Sequence, residues 1–142
     1  DDRRQRQMCI RDSSVEYPDF YKSSFNDMFI AWLESEEWTG NVSFDAEGNP
    51  ISVNGSFLDY KDAPNPIDCE APCSAPALHG FAAEGHGATR WLKSSAGVKE
   101  GESIELVFAI FDLNDGQLDS FVLLDAFRWG CDDNPPITLP VD

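Results

Sequence analysis

Residues 103–111 (SIELVFAIF) and 119–129 (DSFVLLDAFRW) decide the fold class. In the first stretch large apolar residues occupy every second position, which are Ile104, Leu106, Phe108 and Ile110. Alternation with a period of two is typical of a β-strand that turns one face to a core. Glycine and proline residues interrupt the rest of the chain about every 8–12 residues, as in all-β proteins. The sequence therefore predicts an all-β fold, an antiparallel β-sandwich.

Further strands are predicted from apolar and β-branched runs at residues 25–33, 38–44, 51–53, 56–60 and 88–93. Residues 45–50 (DAEGNP) predict a hairpin turn, because Gly, Asn and Pro adopt the backbone angles that turns require. The first 24 residues are polar and mixed in charge. We expect an N-terminal arm over residues 1–24, a sandwich domain over 25–131 and an extended tail over 132–142.

The chain is strongly acidic, with 26 Asp and Glu residues against 10 Lys and Arg residues and a net charge of −16. This charge repels phosphate backbones and anionic lipid surfaces, so we expect no nucleic-acid partner. No apolar run approaches the roughly 20 residues that a transmembrane helix needs. Two interpretations of the acidity stay open at this point. It forms a solvated surface, or some carboxylates are grouped to bind a hard cation.

The chain contains four cysteines, which are Cys9, Cys69, Cys73 and Cys131. An even number in a small acidic domain indicates an oxidising, extracytoplasmic compartment. Of the three possible connectivities we favour Cys9–Cys131, which would tie the two ends together, and Cys69–Cys73, which would close a short loop. A zinc site formed by Cys69, Cys73, His79 and His86 is an alternative. Its spacings differ from those of common zinc sites.

Segment 111–120 (FDLNDGQLDS) carries four candidate calcium ligands, Asp112, Asn114, Asp115 and Asp119. Calcium binds six to eight oxygen atoms from carboxylates, carbonyls and water, and a loop of this composition supplies several of them. Gly116 permits the tight backbone turn that such a loop needs. The segment is not an EF-hand, because the closing glutamate is missing and the flanking residues predict strands.

Three residues outside this segment are further candidate ligands for the same ion. Asp125 lies within an apolar run, where a buried carboxylate is costly unless it is paired or bound to metal. The alternative for Asp125 is the outward face of a half-exposed strand. Asn26 and Asp27 lie between apolar residues at a predicted strand start, where they either complete the metal shell or cap a turn.

The string from Phe111 to Trp129 is similar to the C-terminal signature of bacterial choice-of-anchor surface domains, and related strings occur in calcium-dependent adhesin modules. Residues 26–29 (NDMF), 38–45, 48–54 and 87–92 (GATRWL) resemble earlier parts of that family. The resemblance covers residues 25–129 and implies a jelly-roll-like sandwich on exported modular proteins. Ala126 stands where the family commonly has Asn, which removes one oxygen if that Asn is a ligand.

The sequence predicts no enzyme, since its two histidines lie in a small-residue stretch without an organised nucleophile or a phosphate-binding motif. We expect a non-catalytic, secreted or cell-surface domain, stabilised by Ca²⁺, that mediates adhesion or assembly with other proteins. One alternative is a carbohydrate-binding module, in which Trp32, Trp38, Trp91 or Trp129 stacks on a surface glycan. Another is an accessory subunit of an extracytoplasmic complex or filament, whose chain ends order on binding.

Overall fold

The structure of the protein is a computed structural model that describes residues 4–14, 23–52, 54–55, 60–61, 87–113, 120–130 and 135–141. This part of the chain contains strands and no helix, and every strand pair is antiparallel. The all-β, antiparallel prediction is therefore confirmed. The strands are β1 (Arg4–Ser14), β2 (Met28–Glu34), β3 (Thr39–Asn41), β4 (Ile51–Ser52), β5 (Tyr60–Lys61), β6 (Gly87–Ala88), β7 (Leu92–Val98), β8 (Glu105–Phe111), β9 (Ser120–Gly130) and β10 (Ile137–Pro140).

The first sheet, called the β1 sheet, is built around its longest inner strand. β1 pairs along one edge with β7 and then β6, and along the other edge with β9. β10 pairs with β7, and β5 pairs with β6, on the far side from β1. Among the described residues, β9 is therefore an edge strand of the β1 sheet.

The second sheet, called the β2 sheet, has β2 in its centre. β3 and β4 pair with one edge of β2, and β8 pairs with the other edge over its whole length. The register between β2 and β8 runs from Met28 opposite Phe111 to Glu34 opposite Glu105. Strand β8 ends this sheet on the same side of the molecule as β9.

One apolar core connects the two sheets. On β2, Phe29, Ala31 and Leu33 alternate with more exposed residues, and they are buried with the β7 residues Leu92 and Val98. Fully burying an aliphatic or aromatic side chain of this size contributes roughly 1.5–3 kcal/mol. The hydrophobic effect therefore holds β2 and β7, from different sheets, against each other.

Parts of the predicted N-terminal arm and C-terminal tail form strands. Residues 4–14 of the expected arm form β1, the central strand of its sheet, and residues 137–140 of the expected tail form β10. Both segments pair with strands of their own chain. Residues 4–14 and 137–140 are therefore not free to wrap around a neighbouring protein. The sequence of β1, RQRQMCIRDSS, has no apolar alternation and therefore does not predict a strand. Backbone pairing along both edges holds this strand in place.

Strand β7 is longer than the sequence predicts and is mostly buried. Its predicted extent stops at Lys93, whereas the strand runs to Val98 through Ser94, Ser95 and Ala96. Small and hydroxyl-bearing residues give no hydrophobic signal in a sequence. They suit this position because β7 pairs along both edges, with β1 and β10, and the Ser94 hydroxyl lies within hydrogen-bond distance of those of Ser43 and Thr138.

A buried group of hydroxyls joins the two sheets, and it consists of Ser43, Ser94 and Thr138. The Thr138 hydroxyl lies 2.8 Å from that of Ser94, donates to the Val42 carbonyl and accepts from the Phe44 N–H. Buried polar groups persist in proteins when their hydrogen bonds are satisfied. This group therefore attaches β10 to the chain between β3 and β4.

We expect Thr138→Val to lower the free energy of unfolding by about 1–3 kcal/mol, because it leaves the Phe44 N–H and the Val42 carbonyl without their partner. Urea denaturation measures the change. The matched control is Thr39→Val on the exposed side of β3, which should change stability by less than about 0.5 kcal/mol. Equal effects of the two substitutions would show that the hydroxyl group contributes nothing.

Candidate functional site

Asp27 lies immediately before β2 and is 3% exposed. Its Oδ2 accepts a hydrogen bond of 2.6 Å from the Ser120 hydroxyl, and its Oδ1 accepts a longer one of 3.4 Å from the Leu113 N–H. Hydrogen bonds to an ionised group are stronger than those between neutral groups. Asp27 therefore holds Leu113 and Ser120 in position, although both residues are far from it in the sequence.

Those two positions flank the predicted calcium loop. Leu113 follows β8 by two residues, and Ser120 is the first residue of β9. Since β8 belongs to the β2 sheet and β9 to the β1 sheet, Asp27 also links the sheets where the chain passes between them. We call Asn26, Asp27, Asp112 and Ser120 the loop-end site.

Asp112 and Asp27 follow the last pair of the β2–β8 ladder. This pair is Met28 opposite Phe111, and a ladder longer by one residue would pair Asp27 with Asp112. Asp112 is exposed, in contrast to the buried Asp27. Like charges directly opposite each other destabilise a strand pair, and a cation between them removes the repulsion.

Asn26 adds an unsatisfied acceptor next to Asp27. Its amide Oδ1 is buried and has no hydrogen-bond partner among the described residues. A buried polar atom without a partner costs about 1–3 kcal/mol. Such an oxygen is suited to a partner that the protein itself does not supply.

Of the remaining predicted ligands, the structure describes Asp125 alone. Asn114, Asp115 and Asp119 lie outside the described residues, and the described part of the chain holds no group of three or more His, Cys, Asp or Glu side chains arranged for a metal ion. Asp125 is exposed on β9, five residues beyond Ser120. At about 3.3 Å per residue that separation is about 16 Å, too far for one shared ion.

Asp125 instead belongs to a β-bulge. The β1–β9 register changes between Gln7 and Cys9, and Ala126 has a φ of 53° in the left-handed region. The Asp125 carboxylate accepts a 2.6 Å hydrogen bond from the Ala126 N–H. A bulge of this kind bends an edge strand and interrupts its pairing.

The second acidic residue with a well-defined role is Asp45, in the predicted hairpin turn. Its Oδ1 accepts from the N–H groups of Glu47 and Asn49, and the turn is closed by an antiparallel bridge between Phe44 and Pro50. These are the hydrogen bonds of an Asx-type turn. The buried carboxylate of Asp45 therefore has a structural explanation and needs no ion.

An exposed ion pair connects the turns after β2 and β7. The Lys99 Nζ lies 2.8 Å from the Glu36 carboxylate, and this hydrogen bond, with the negative charge of Glu36, raises the pKa of Lys99. Both side chains are solvated, and pairs of this kind contribute little to stability.

Most of the residues in the disulfide and zinc predictions lie outside the described residues, namely Cys69, Cys73, His79, His86 and Cys131. Cys9 lies on β1, in register with Asp125. The two predicted disulfides and the alternative zinc site therefore stay predictions.

A scan against protein-family models, a search of curated proteins and a search of solved structures each found no match to this chain. The described residues include no helix long and apolar enough to cross a membrane. Function is therefore inferred from the chemistry of the residues themselves.

We expect Ser120→Ala to lower the free energy of unfolding by about 1.5–3 kcal/mol in the presence of a chelator, since it leaves Asp27 Oδ2 buried without its donor. Chemical denaturation monitored by tryptophan fluorescence measures it. Ser103→Ala, at an exposed position before β8, is the control and should be close to neutral. A loss no larger than the control would mean that the Asp27–Ser120 contact does not stabilise the fold.

Proposed function

We propose that this protein is a non-catalytic, exported domain that binds Ca²⁺ at the loop-end site and mediates adhesion or assembly with other proteins. Its two sheets then form a jelly-roll-like β-sandwich, as the resemblance to choice-of-anchor surface domains implies. Calcium would stiffen the connection between β8 and β9 and so hold the two sheets in one arrangement.

The buried carboxylate of Asp27 carries the calcium part of this proposal. It contacts Leu113 and Ser120, the residues that precede and follow segment 114–119, and the composition of that segment would add Asn114, Asp115 and Asp119 to the available oxygen donors. The unpaired amide oxygen of Asn26 and the carboxylate of Asp112 are the other two donors near it. An all-oxygen set of this kind prefers a hard cation such as Ca²⁺ to a softer metal.

The assembly part is supported by the apolar surface on β8. Four of its seven side chains are large, apolar and at least 40% exposed, and these are Val107, Phe108, Ile110 and Phe111. Exposed apolar patches on soluble domains commonly mark protein-binding sites. The net charge of −16 disfavours nucleic acid and anionic lipid as the partner.

Export is supported by the cysteine content and by calcium itself. Disulfides persist in oxidising compartments, and extracellular modules bind calcium with affinities suited to the higher concentrations found there. The resemblance to surface domains points to the same location.

We expect calcium to raise the melting temperature of the protein by about 5–10 °C at a concentration a hundred times its Kd, because binding to the folded state alone adds about 2.7 kcal/mol. Differential scanning calorimetry with calcium and with chelator measures the shift. Asp27→Asn and Asp112→Asn should each reduce it strongly.

Asp125→Asn is the matched control, since it makes the same change of charge about 16 Å away along β9. It should leave the calcium shift intact. A melting temperature that is the same with calcium and with chelator would contradict the calcium site. If only Asp125→Asn abolished the calcium shift, the ion would bind at the bulge and not at the loop-end site.

A carbohydrate-binding module is the second candidate, and exposed tryptophans favour it. Trp32 and Trp38 are each 38% exposed on the β2 sheet and in the turn that follows β2. Trp129 is exposed on β9, with its ring 6.5 Å from that of Phe127. Exposed aromatic rings of this type stack on sugar faces.

A glycan array and isothermal titration test this candidate. If the module binds sugar, Trp32→Ala or Trp129→Ala should weaken binding by tenfold or more, whereas Phe111→Ala on β8 should not. Absence of any glycan ligand would remove the candidate and leave the protein-binding proposal in place.

A further inference from the structure

Strand β8 is an edge strand with one open side. In the described part of the chain it pairs with β2 alone, and no strand pairs with its other edge. Its exposed apolar residues point to both faces, since Val107 and Phe111 have one strand parity and Phe108 and Ile110 have the other. An added strand would find apolar side chains on either face.

Among the described residues, the edge strands β9 and β10 carry features that prevent pairing, and β8 carries none of them beyond its one charge. Natural edge strands are protected by bulges, charged residues, proline or short length. β9 has the bulge at Ala126 with Asp125 and Arg128 beside it, and β10 is four residues long and ends in Pro140. β8 (ELVFAIF) has seven residues, no proline and a single charge at Glu105.

We propose that the open edge of β8 binds an extended segment of another protein, with an apolar centre and a basic residue at each end. The segment adds a strand to the β2 sheet by main-chain hydrogen bonds, a known mode of peptide recognition. This inference rests on the proposed assembly function and names the partner chemistry at that surface.

The apolar centre follows from what surrounds β8. Phe108 faces β9 across an open cleft that is also lined by Leu124 and Phe127. Side chains of an added strand that point inward would cover this cleft, and those that point outward would lie beside Val107 and Phe111. Both sets gain hydrophobic burial at roughly 25 cal/mol per Å².

The basic ends follow from the charges beside β8. Glu105 begins the strand and lies opposite Glu34, so two exposed carboxylates face each other at this end. Asp112 follows the last residue of β8 at the other end. Residues 105 and 112 are seven positions apart, which sets the spacing of the two basic residues in the partner strand.

The same charges argue against a second copy of this chain as the occupant. Antiparallel pairing of two β8 strands about Phe108 would place Glu105 of each copy opposite Phe111 of the other, next to Asp112 of that copy. Each chain also carries a net charge of −16, so two copies repel each other. A basic partner is attracted by the charge that keeps the copies apart.

The test uses the full chain and an eight-residue capped peptide with lysine at both ends and alternating valine and threonine between them. The matched control peptide has glutamate at both ends. In chelator and low salt, fluorescence anisotropy should show binding of the lysine peptide at least tenfold tighter than that of the glutamate peptide. Hydrogen exchange should slow for backbone amides of β8 and stay unchanged for those of β9.

Two substitutions locate the binding surface on the protein. Val107→Lys, at an exposed position in the centre of β8, should weaken binding of the lysine peptide by tenfold or more. Leu139→Lys makes the same change of charge at an exposed position of β10 and should leave the affinity within about twofold. Phe111→Lys is the second β8 variant, in case Val107→Lys lowers the melting temperature.

Equal binding of the two peptides, protection of β9 and not β8, or equal loss in Val107→Lys and Leu139→Lys would overturn the inference. A dimer in sedimentation that Val107→Lys abolishes would also overturn it, because such a dimer assigns the edge to a second copy.

The calcium shift in melting temperature is measured without peptide. An intact shift with no peptide binding removes this inference alone, and peptide binding without a calcium shift removes only the calcium site.

Discussion

The hydrogen bonds of the buried Asp27 carboxylate hold β8 and β9 in their relative position. These strands end different sheets and are consecutive in the chain, yet no backbone ladder joins them in the described residues. Asp27 sits before β2 and contacts residues at both ends of their connection, so it ties the centre of one sheet to the edge of the other. The cleft lined by Phe108 and Phe127 lies between the same two strands.

The sequence predicts the elements whose stability comes from side chains and misses those whose stability comes from backbone pairing. Residues 103–111 and 119–129 are recognisable because large apolar residues recur in them, and the structure has β8 and β9 there. β1 is the centre of its sheet and has a polar sequence, and β7 continues through small residues. Their partners are up to 125 residues away, as in the pairing of Gln5 with Gly130, and no local pattern contains that information.

The candidate site was predictable in part for the same reason. Asn26 and Asp27 are visible as polar residues set among apolar ones. The position of Asp27 beside Leu113 follows from the β2–β8 register, which a sequence does not reveal. Ser120 was not predicted as a partner, because serine at a strand start is common. Asp125 has apolar neighbours that suggest burial, but those neighbours lie on an edge strand and are themselves largely exposed. Burial of a strand residue depends on where its strand lies in the sheet. The sequence pattern alone therefore could not distinguish a buried Asp125 from an exposed one.

Calcium and a basic partner strand would bind to different groups of acidic residues in this chain. A divalent ion beside Asp27 would relieve repulsion between Asp27 and Asp112, which follow the last pair of the β2–β8 ladder at one end of β8. The other end keeps the exposed pair of Glu34 and Glu105, seven strand positions or about 23 Å away, beyond a Debye length at physiological salt. The proposed ion would therefore order the connection to β9 without neutralising the far end. With the ion bound, the open edge of β8 would thus remain selective for basic strands, since each chain still carries a large net negative charge.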